Sequence, residues 1–158
     1  MISRKNLYLV GPMGVGKTTI GKLLAKRLKR RFVDLDDEIE RRAGAAIPWI
    51  FDVEGEAGFR KRESELLTEY ADSELMIVST GGGVVLKEEN RNILKSTGIV
   101  VFLNASVDQL YERTRKDKKR PLLQVPNRKK VIADFKAKRD PLYKEVADLS
   151  SRCAVEGL

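Results

Sequence analysis

The chain has 158 residues, 42% of them hydrophobic and 34% charged, enough for one compact domain with a buried core and too few for a second. Thirty-one Lys and Arg against twenty-three Asp and Glu leave a formal charge of +8, which suits anionic ligands, while the lack of histidine and the single cysteine, Cys153, exclude the usual zinc sites, histidine-dependent triads and an internal disulfide. The longest apolar runs are strand-sized and residues 1 to 6 carry charge without the apolar core of a signal peptide, so a cytoplasmic protein with no membrane association is expected.

Leu7 to Val10 form a short apolar run that ends in glycines, after which Ile20, Leu23, Leu24 and Leu28 recur at helical spacing: strand, loop, helix. Phe32-Val33 suggests a second strand, and the acids Asp36, Asp37 and Glu38 open a helix running to about Arg42, ahead of Gly44. Residues 47 to 71 read as mostly helical with interruptions near Gly55 and Gly58. Leu75 to Val78 is a continuously apolar strand that stops at Gly81-Gly82-Gly83, and Ile99 to Leu103 is another, with a helix over 87 to 96 between them. Val107, Leu110 and Tyr111 mark a further helix. The segment from Arg113 to Pro126 is basic, punctuated by proline and aperiodic, and reads as a mobile loop. Residues 128 to 147 return to helix, expected to break around Asp140-Pro141, and 147 to 155 supply a last edge strand. Apolar runs alternating with helices indicate an α/β fold with a parallel sheet covered on both faces.

Gly11-Pro12-Met13-Gly14-Val15-Gly16-Lys17-Thr18 matches the eight-position phosphate-binding loop in full, with its strand before and helix after. Backbone N–H groups of such a loop converge on phosphate oxygens, and the helix N-terminus adds positive potential at the same place. Nucleotide contacts are therefore expected from Gly14, Val15, Gly16, Lys17, Thr18 and Thr19, with Lys17 reaching the β and γ phosphates and the Thr18 hydroxyl ligating Mg²⁺. ATP-dependent phosphoryl transfer is the expected chemistry. Asp52-Val53-Glu54-Gly55 superficially resembles a GTPase switch, but no apolar strand precedes it and no Asn-Lys-x-Asp segment exists to read guanine.

Asp34 and Asp36 lie two residues apart after the second strand, so a persisting extended backbone puts both on one face and Asp37 on the other. Beside an ATP site, one carboxylate can hold Mg²⁺ through water and one can orient or deprotonate an acceptor hydroxyl; capping of the next helix by Asp36 or Asp37 explains the same pattern. Gly81-Gly82-Gly83 sits at the carboxyl end of a buried strand, the edge where open α/β sheets bind ligands, although a plain turn is the alternative. Arg60, Arg120 and Arg139 carry no individual signal.

Together these segments resemble the shikimate kinases. The resemblance rests on Gly11 to Thr18, Asp34-Leu35-Asp36, Gly58-Phe59-Arg60, Thr80-Gly81-Gly82-Gly83, Arg120-Pro121-Leu122-Leu123 and Arg139-Asp140-Pro141-Leu142-Tyr143, in family order over about residues 6 to 150. It implies a P-loop NTPase fold like that of nucleoside monophosphate kinases, a five-stranded parallel sheet flanked by helices. It also implies a single domain over residues 1 to 158, with a substrate-binding helical segment at about 35 to 62 and a lid at about 113 to 126. The implied reaction is phosphorylation of the 3-hydroxyl of shikimate by ATP, a step of aromatic amino-acid biosynthesis.

By motif, Asp36 would bind the acceptor hydroxyls and act as base or orienter, and Asp34 would hold Mg²⁺ through water. Arg60 and Arg139 would clamp the shikimate carboxylate, and Gly82 and Gly83 would offer backbone N–H groups. Arg120 would close over the phosphates and complete a cationic cage with Lys17 and Mg²⁺. Arg113 matches the family's adenine-contacting arginine, and a solvated helix end accounts for it equally. Phe59 is expected as pocket wall beside Arg60, with Phe51 and Trp49 in the same covering segment. Glu63 would pair with Arg60 at i,i+3, an interaction worth little if exposed.

Six of the eight residues from Arg113 to Arg120 are basic, and Arg128-Lys129-Lys130 follow. No aromatic residue interleaves them and Asp117 interrupts the run, which favours a cationic lid over triphosphate and no nucleic-acid partner. Shikimate kinases continue past the position of Leu158 through an adenine-contacting loop and a last helix, so adenine recognition within these residues is expected to be incomplete. No extended apolar surface stripe is evident, and a monomer is expected.

Overall fold

The computed structural model describes residues 4–152; Cys153 and the expected run of the last strand to Val155 lie outside the described residues. Strands β1 (Asn6–Val10), β2 (Arg31–Asp34), β3 (Met76–Ser79), β4 (Gly98–Asn104) and β5 (Leu149–Arg152) form one sheet in the order β2-β3-β1-β4-β5, with every pairing parallel. Parallel neighbours need long crossovers. Helices supply them: α1 (Lys17–Leu28), α2 (Leu35–Ala43), α3 (Ile47–Ala71), α4 (Glu88–Thr97), α5 (Val107–Thr114) and α6 (Arg128–Val146). Short 3-10 turns occupy Val84–Leu86 and Pro121–Leu123.

The sheet separates two apolar cores. Tyr8 and Val10 of β1 point to one, with Leu67, Val78, Leu94, Phe102 and Tyr143; Leu9 points to the other, with Ala25, Ile77, Leu103, Leu110 and Ile132. Burial on both faces is why these strands read as unbroken apolar runs rather than as alternation. Each fully buried side chain of this size contributes about 1.5–3 kcal/mol over its exposed state.

Strand order positions the site. The crossover after β1 runs through α1 on one face to β2, whereas that after β3 runs through α4 on the other face to β4. The loops following these two adjacent strands therefore leave in opposite directions and open a crevice at the carboxyl edge of the sheet.

Three local expectations are corrected, at Asp34, in α3 and in α6. The extended backbone does not persist through Asp36: α2 starts directly at Leu35, and Asp34 caps it by accepting from the Asp37 N–H at 3.1 Å. Capping thus falls to Asp34, not to Asp36 or Asp37. Helix α3 kinks at Gly55 alone (φ 73°, ψ 175°), a backbone conformation open to glycine and closed to residues with a Cβ, while Gly58 stays helical. Helix α6 runs unbroken through Pro141, whose flanking turns are fixed by the burial of Arg139 and Tyr143. The segment after α5 folds on itself: Leu123 enters the second core, and the Gln124 side chain donates to the carbonyls of Asp117 (2.8 Å) and Arg120 (3.1 Å). Among the described residues no helix is long and apolar enough to cross a membrane.

Candidate active site

The glycine loop after β1 delivers Lys17 as the first residue of α1. Lys17 is buried, and its Nζ donates to the carbonyls of Gly11 (2.5 Å) and Pro12 (2.9 Å). Burial, and then the nearby Arg120 charge, lower its pKa to about 8. Arg113, from the last turn of α5, donates to the carbonyls of Gly14 (3.1 Å) and Val15 (2.5 Å) and braces the loop from outside; it is not a solvated helix end. The Val15 side chain is in the core. Gly14, Gly16, Lys17, Thr18, Thr19, Arg113 and Arg120 line a cleft of about 280 Å³ over this loop.

A second cleft, of about 270 Å³, opens beside it between α2, the kinked start of α3, the turn after β3, and α6. Its walls hold Asp36, Phe59, Arg60, Glu63, Gly81 to Gly83, Arg120 and Arg139. The two clefts share Met13, Thr18, Asp34, Asp36, Gly81, Gly82 and Arg120. A phosphoryl group held in the first is therefore presented to a molecule held in the second across Asp36 and Arg120.

At the junction, Thr18 Oγ1 donates to Asp34 Oδ2 at 2.5 Å. A hydroxyl and a carboxylate in contact beside a phosphate loop are hard oxygen donors of the kind Mg²⁺ takes when phosphates and water complete its shell. Asp36 is half-buried, its Oδ1 fully so and without a partner among the described residues, and its pKa is raised to about 7, chiefly by burial and then by the carboxylates of Glu63 and Asp34. A carboxyl poised near neutrality suits general-base work.

The far end of the second cleft is cationic. Arg60 is held by Glu63 (Nη1 to Oε1, 3.1 Å) and more loosely by Glu56 (3.4 Å), yet its Nε is buried without a partner among the described residues. The pair with Glu63 is not an exposed one, since Glu63 is 0% exposed. Arg139 is also buried, lies over the Phe135 ring at 4.3 Å and keeps an unpartnered Nε. Two guanidinium groups, Arg139 buried and Arg60 nearly so, each with an unused Nε, have the chemistry to receive a carboxylate. Gly83 makes room for one of them: a Cβ there would meet the Arg60 guanidinium at 2.4–2.5 Å. Phe59 packs on Phe51 with ring centroids 5.1 Å apart and lies under Arg60, but Trp49 is 54% exposed and away from the cleft.

Sequence reasoning missed Met13, which stands between the clefts, and the part played by Asp117, which pairs with Arg120 inside the second cleft. The signal for Asp117 was its place as the lone acid of a basic run, three residues before Arg120.

Comparison with known proteins gives the family. A family model described as shikimate kinase matches residues 13–154. The shikimate kinase of Pseudomonas aeruginosa (strain LESB58) is 56% identical over 144 residues, 91% of this chain and 84% of that protein. Among solved structures, shikimate kinase from Acinetobacter baumannii in complex with shikimate superposes with a TM-score of 0.94 at 49% identity, covering 96% of this chain and 85% of that one. A gluconokinase from Sinorhizobium meliloti 1021, at 15% identity and a TM-score of 0.54 over 96% of this chain and 83% of that one, shares the fold alone.

Proposed function

The chain belongs to the shikimate kinase family and is an ATP-dependent kinase, and we propose that its own residues carry the transfer of the γ-phosphoryl group of ATP to the 3-hydroxyl of shikimate as follows. The observation that carries the reading is the wall common to both clefts, with Asp36 and Arg120 in it and two arginines, each with a buried unused Nε, beyond.

Arg60 and Arg139 bind the carboxylate of shikimate, and Gly82 and Gly83 support the ring from the turn after β3 with their backbone N–H groups. Phe59 supplies the apolar wall. This pose brings the 3-hydroxyl to Asp36, which orients it and accepts its proton as the oxygen attacks phosphorus. On the donor side, the loop from Gly14 to Thr19 holds the triphosphate, with Arg113 bracing its carbonyls. Lys17 exchanges its carbonyl partners for phosphate oxygens, and Arg120 meets the charge that develops on the transferred group. Thr18, and Asp34 through water, would hold Mg²⁺, which neutralises the β and γ oxygens when bound. The segment 113 to 126 acts as a lid that excludes water from the transfer, so that ATP is not hydrolysed.

The test is ADP release by the protein with MgATP, measured with shikimate, with gluconate and with no acceptor. Turnover only with shikimate is expected. No shikimate-dependent turnover by folded protein refutes the reading.

A further inference from the structure

The turn after β3 has its carbonyls accounted for one by one. Gly81 O accepts from the Val84 N–H (3.2 Å) and Gly83 O from the Leu86 N–H (3.1 Å), which closes the turn on itself. Helix α4 takes the next two: the Asn90 amide donates to Val84 O at 3.0 Å and Arg91 Nη1 to Val85 O at 2.8 Å. Gly82 O alone in this series is bonded from α6, by the Tyr143 hydroxyl, across 61 positions of sequence.

Tyr143 is fully buried, its ring 5.0 Å from that of Phe102, and it does not line the acceptor cleft. It stands one helical turn after Arg139, so the two side chains leave the same face of α6. A Cβ placed on Gly82 would stand 3.5 Å from Arg139 Nη1, so that guanidinium lies against the turn. A phenol has one proton to donate and lone pairs to accept with. Tyr143 gives that one proton to the Gly82 carbonyl.

We propose that Tyr143 is a positioning residue: by tying the Gly82 carbonyl to the helix that carries Arg139, it fixes the distance between the glycine turn and that guanidinium, and so sets how strongly the enzyme prefers an acceptor bearing a carboxylate. The inference rests on the reading of Arg139 as a carboxylate clamp. Three glycines in a row have no side chains to hold the turn, and a turn free to drift would let the acceptor slide off Arg139 while still meeting Asp36.

The experiment compares Tyr143→Phe with Tyr8→Phe. Tyr8, in the same core and away from the cleft, shares a part-buried hydroxyl–hydroxyl bond of 2.7 Å with Thr97 Oγ1 and serves as the stability control. Each protein is assayed with shikimate and with its carboxamide. Preference of the wild type for the carboxylate tests the clamp itself; a wild type with no preference removes the premise and overturns the inference with it. Given that preference, Tyr143→Phe is expected to raise KM for shikimate about fivefold to tenfold, leave KM for ATP within about twofold, and shrink the carboxylate preference. Tyr8→Phe lowers the thermal midpoint and leaves the preference intact. Gly82→Ala, whose Cβ would press on Met13 Cγ at 3.1 Å and so shift the turn, is the second variant should Tyr143→Phe not fold, and it too is expected to shrink the preference. An unchanged ratio in whichever of the two variants folds, or the same loss in Tyr8→Phe, overturns the proposal.

Discussion

Asp36 and Glu63 face each other across Gly81: a Cβ on that glycine would stand 2.9 Å from Asp36 Oδ1 and 2.7 Å from Glu63 Oε2. Both oxygens are buried without a partner among the described residues, and each carboxyl has its pKa raised, chiefly by burial. The glycine is what lets two acids share the wall of one cleft.

Gly81→Ala must push one or both carboxylates aside. A fall in kcat/KM of at least about tenfold is expected, with a lower thermal midpoint. Steady-state kinetics with both substrates varied checks this, and wild-type kinetics in the folded variant would show that the two carboxylates are free to move.

Asp36→Asn separates chemistry from folding. Turnover should drop about 10²- to 10⁴-fold while ATP binding, read by calorimetry, is largely kept. Unchanged turnover refutes the role of Asp36 as base or orienter.

The same variant should be more stable than the wild type at about pH 8. The folded-state pKa of Asp36, about 7, is above the ordinary 3.8, so the folded protein holds that proton more tightly than the unfolded chain. Its stabilising effect is complete below about pH 4 and lost as pH rises through about 7, where burying the charge becomes a net cost. Lys17, lowered from 10.5 to about 8, acts oppositely, its contribution being lost as pH falls through about 8. Thermal melts at several pH values should show the advantage of Asp36→Asn shrinking toward zero near about pH 4. A variant less stable than wild type at about pH 8 contradicts the assignment.

Arg60→Lys and Arg139→Lys keep the charge and remove the planar fork. Each should raise KM for shikimate by about tenfold or more, with KM for ATP within about twofold. Equal changes in the two constants would mean that these arginines act on the whole site and not on the carboxylate.

Closure of the lid is read by amide hydrogen exchange over residues 115 to 126. Exchange should slow when shikimate and a nonhydrolysable ATP analogue are both present. Equal protection with and without them sinks the lid assignment.

The strands, most helices and the loop at Gly11 to Thr18 were legible because their signals are local: apolar runs, helical spacing and a complete motif. What failed was also local. Asp34 and Asp36 looked like neighbours on a strand because nothing between them marks a helix start, yet Asp34 itself is the cap. Pro141 looked like a break because proline lacks the N–H, but burial of Arg139 and Tyr143 on either side holds the helix through it. The burial of Glu63, the grip of Arg113 on the loop carbonyls and the bond from Tyr143 to Gly82 depend on contacts between distant segments, and no local pattern encodes them.

The sheet order also sets when the chain becomes an enzyme. Strand β1 is central, pairing with β3 and β4, and its bond to β3 joins segments about 70 residues apart, as Leu7 pairs with Ile77. Such non-local parallel pairing is slow to form because chain entropy must be given up before the contacts return it. The phosphate loop leaves the ribosome early, but it meets the glycine turn, Arg60 and Arg139 only when the sheet and α6 have assembled. A nascent or partly refolded chain thus carries the phosphate loop without the walls that Gly81, Gly82, Arg113 and Arg120 give its cleft, and recovery of activity during refolding reports the last long-range contacts rather than the first local ones.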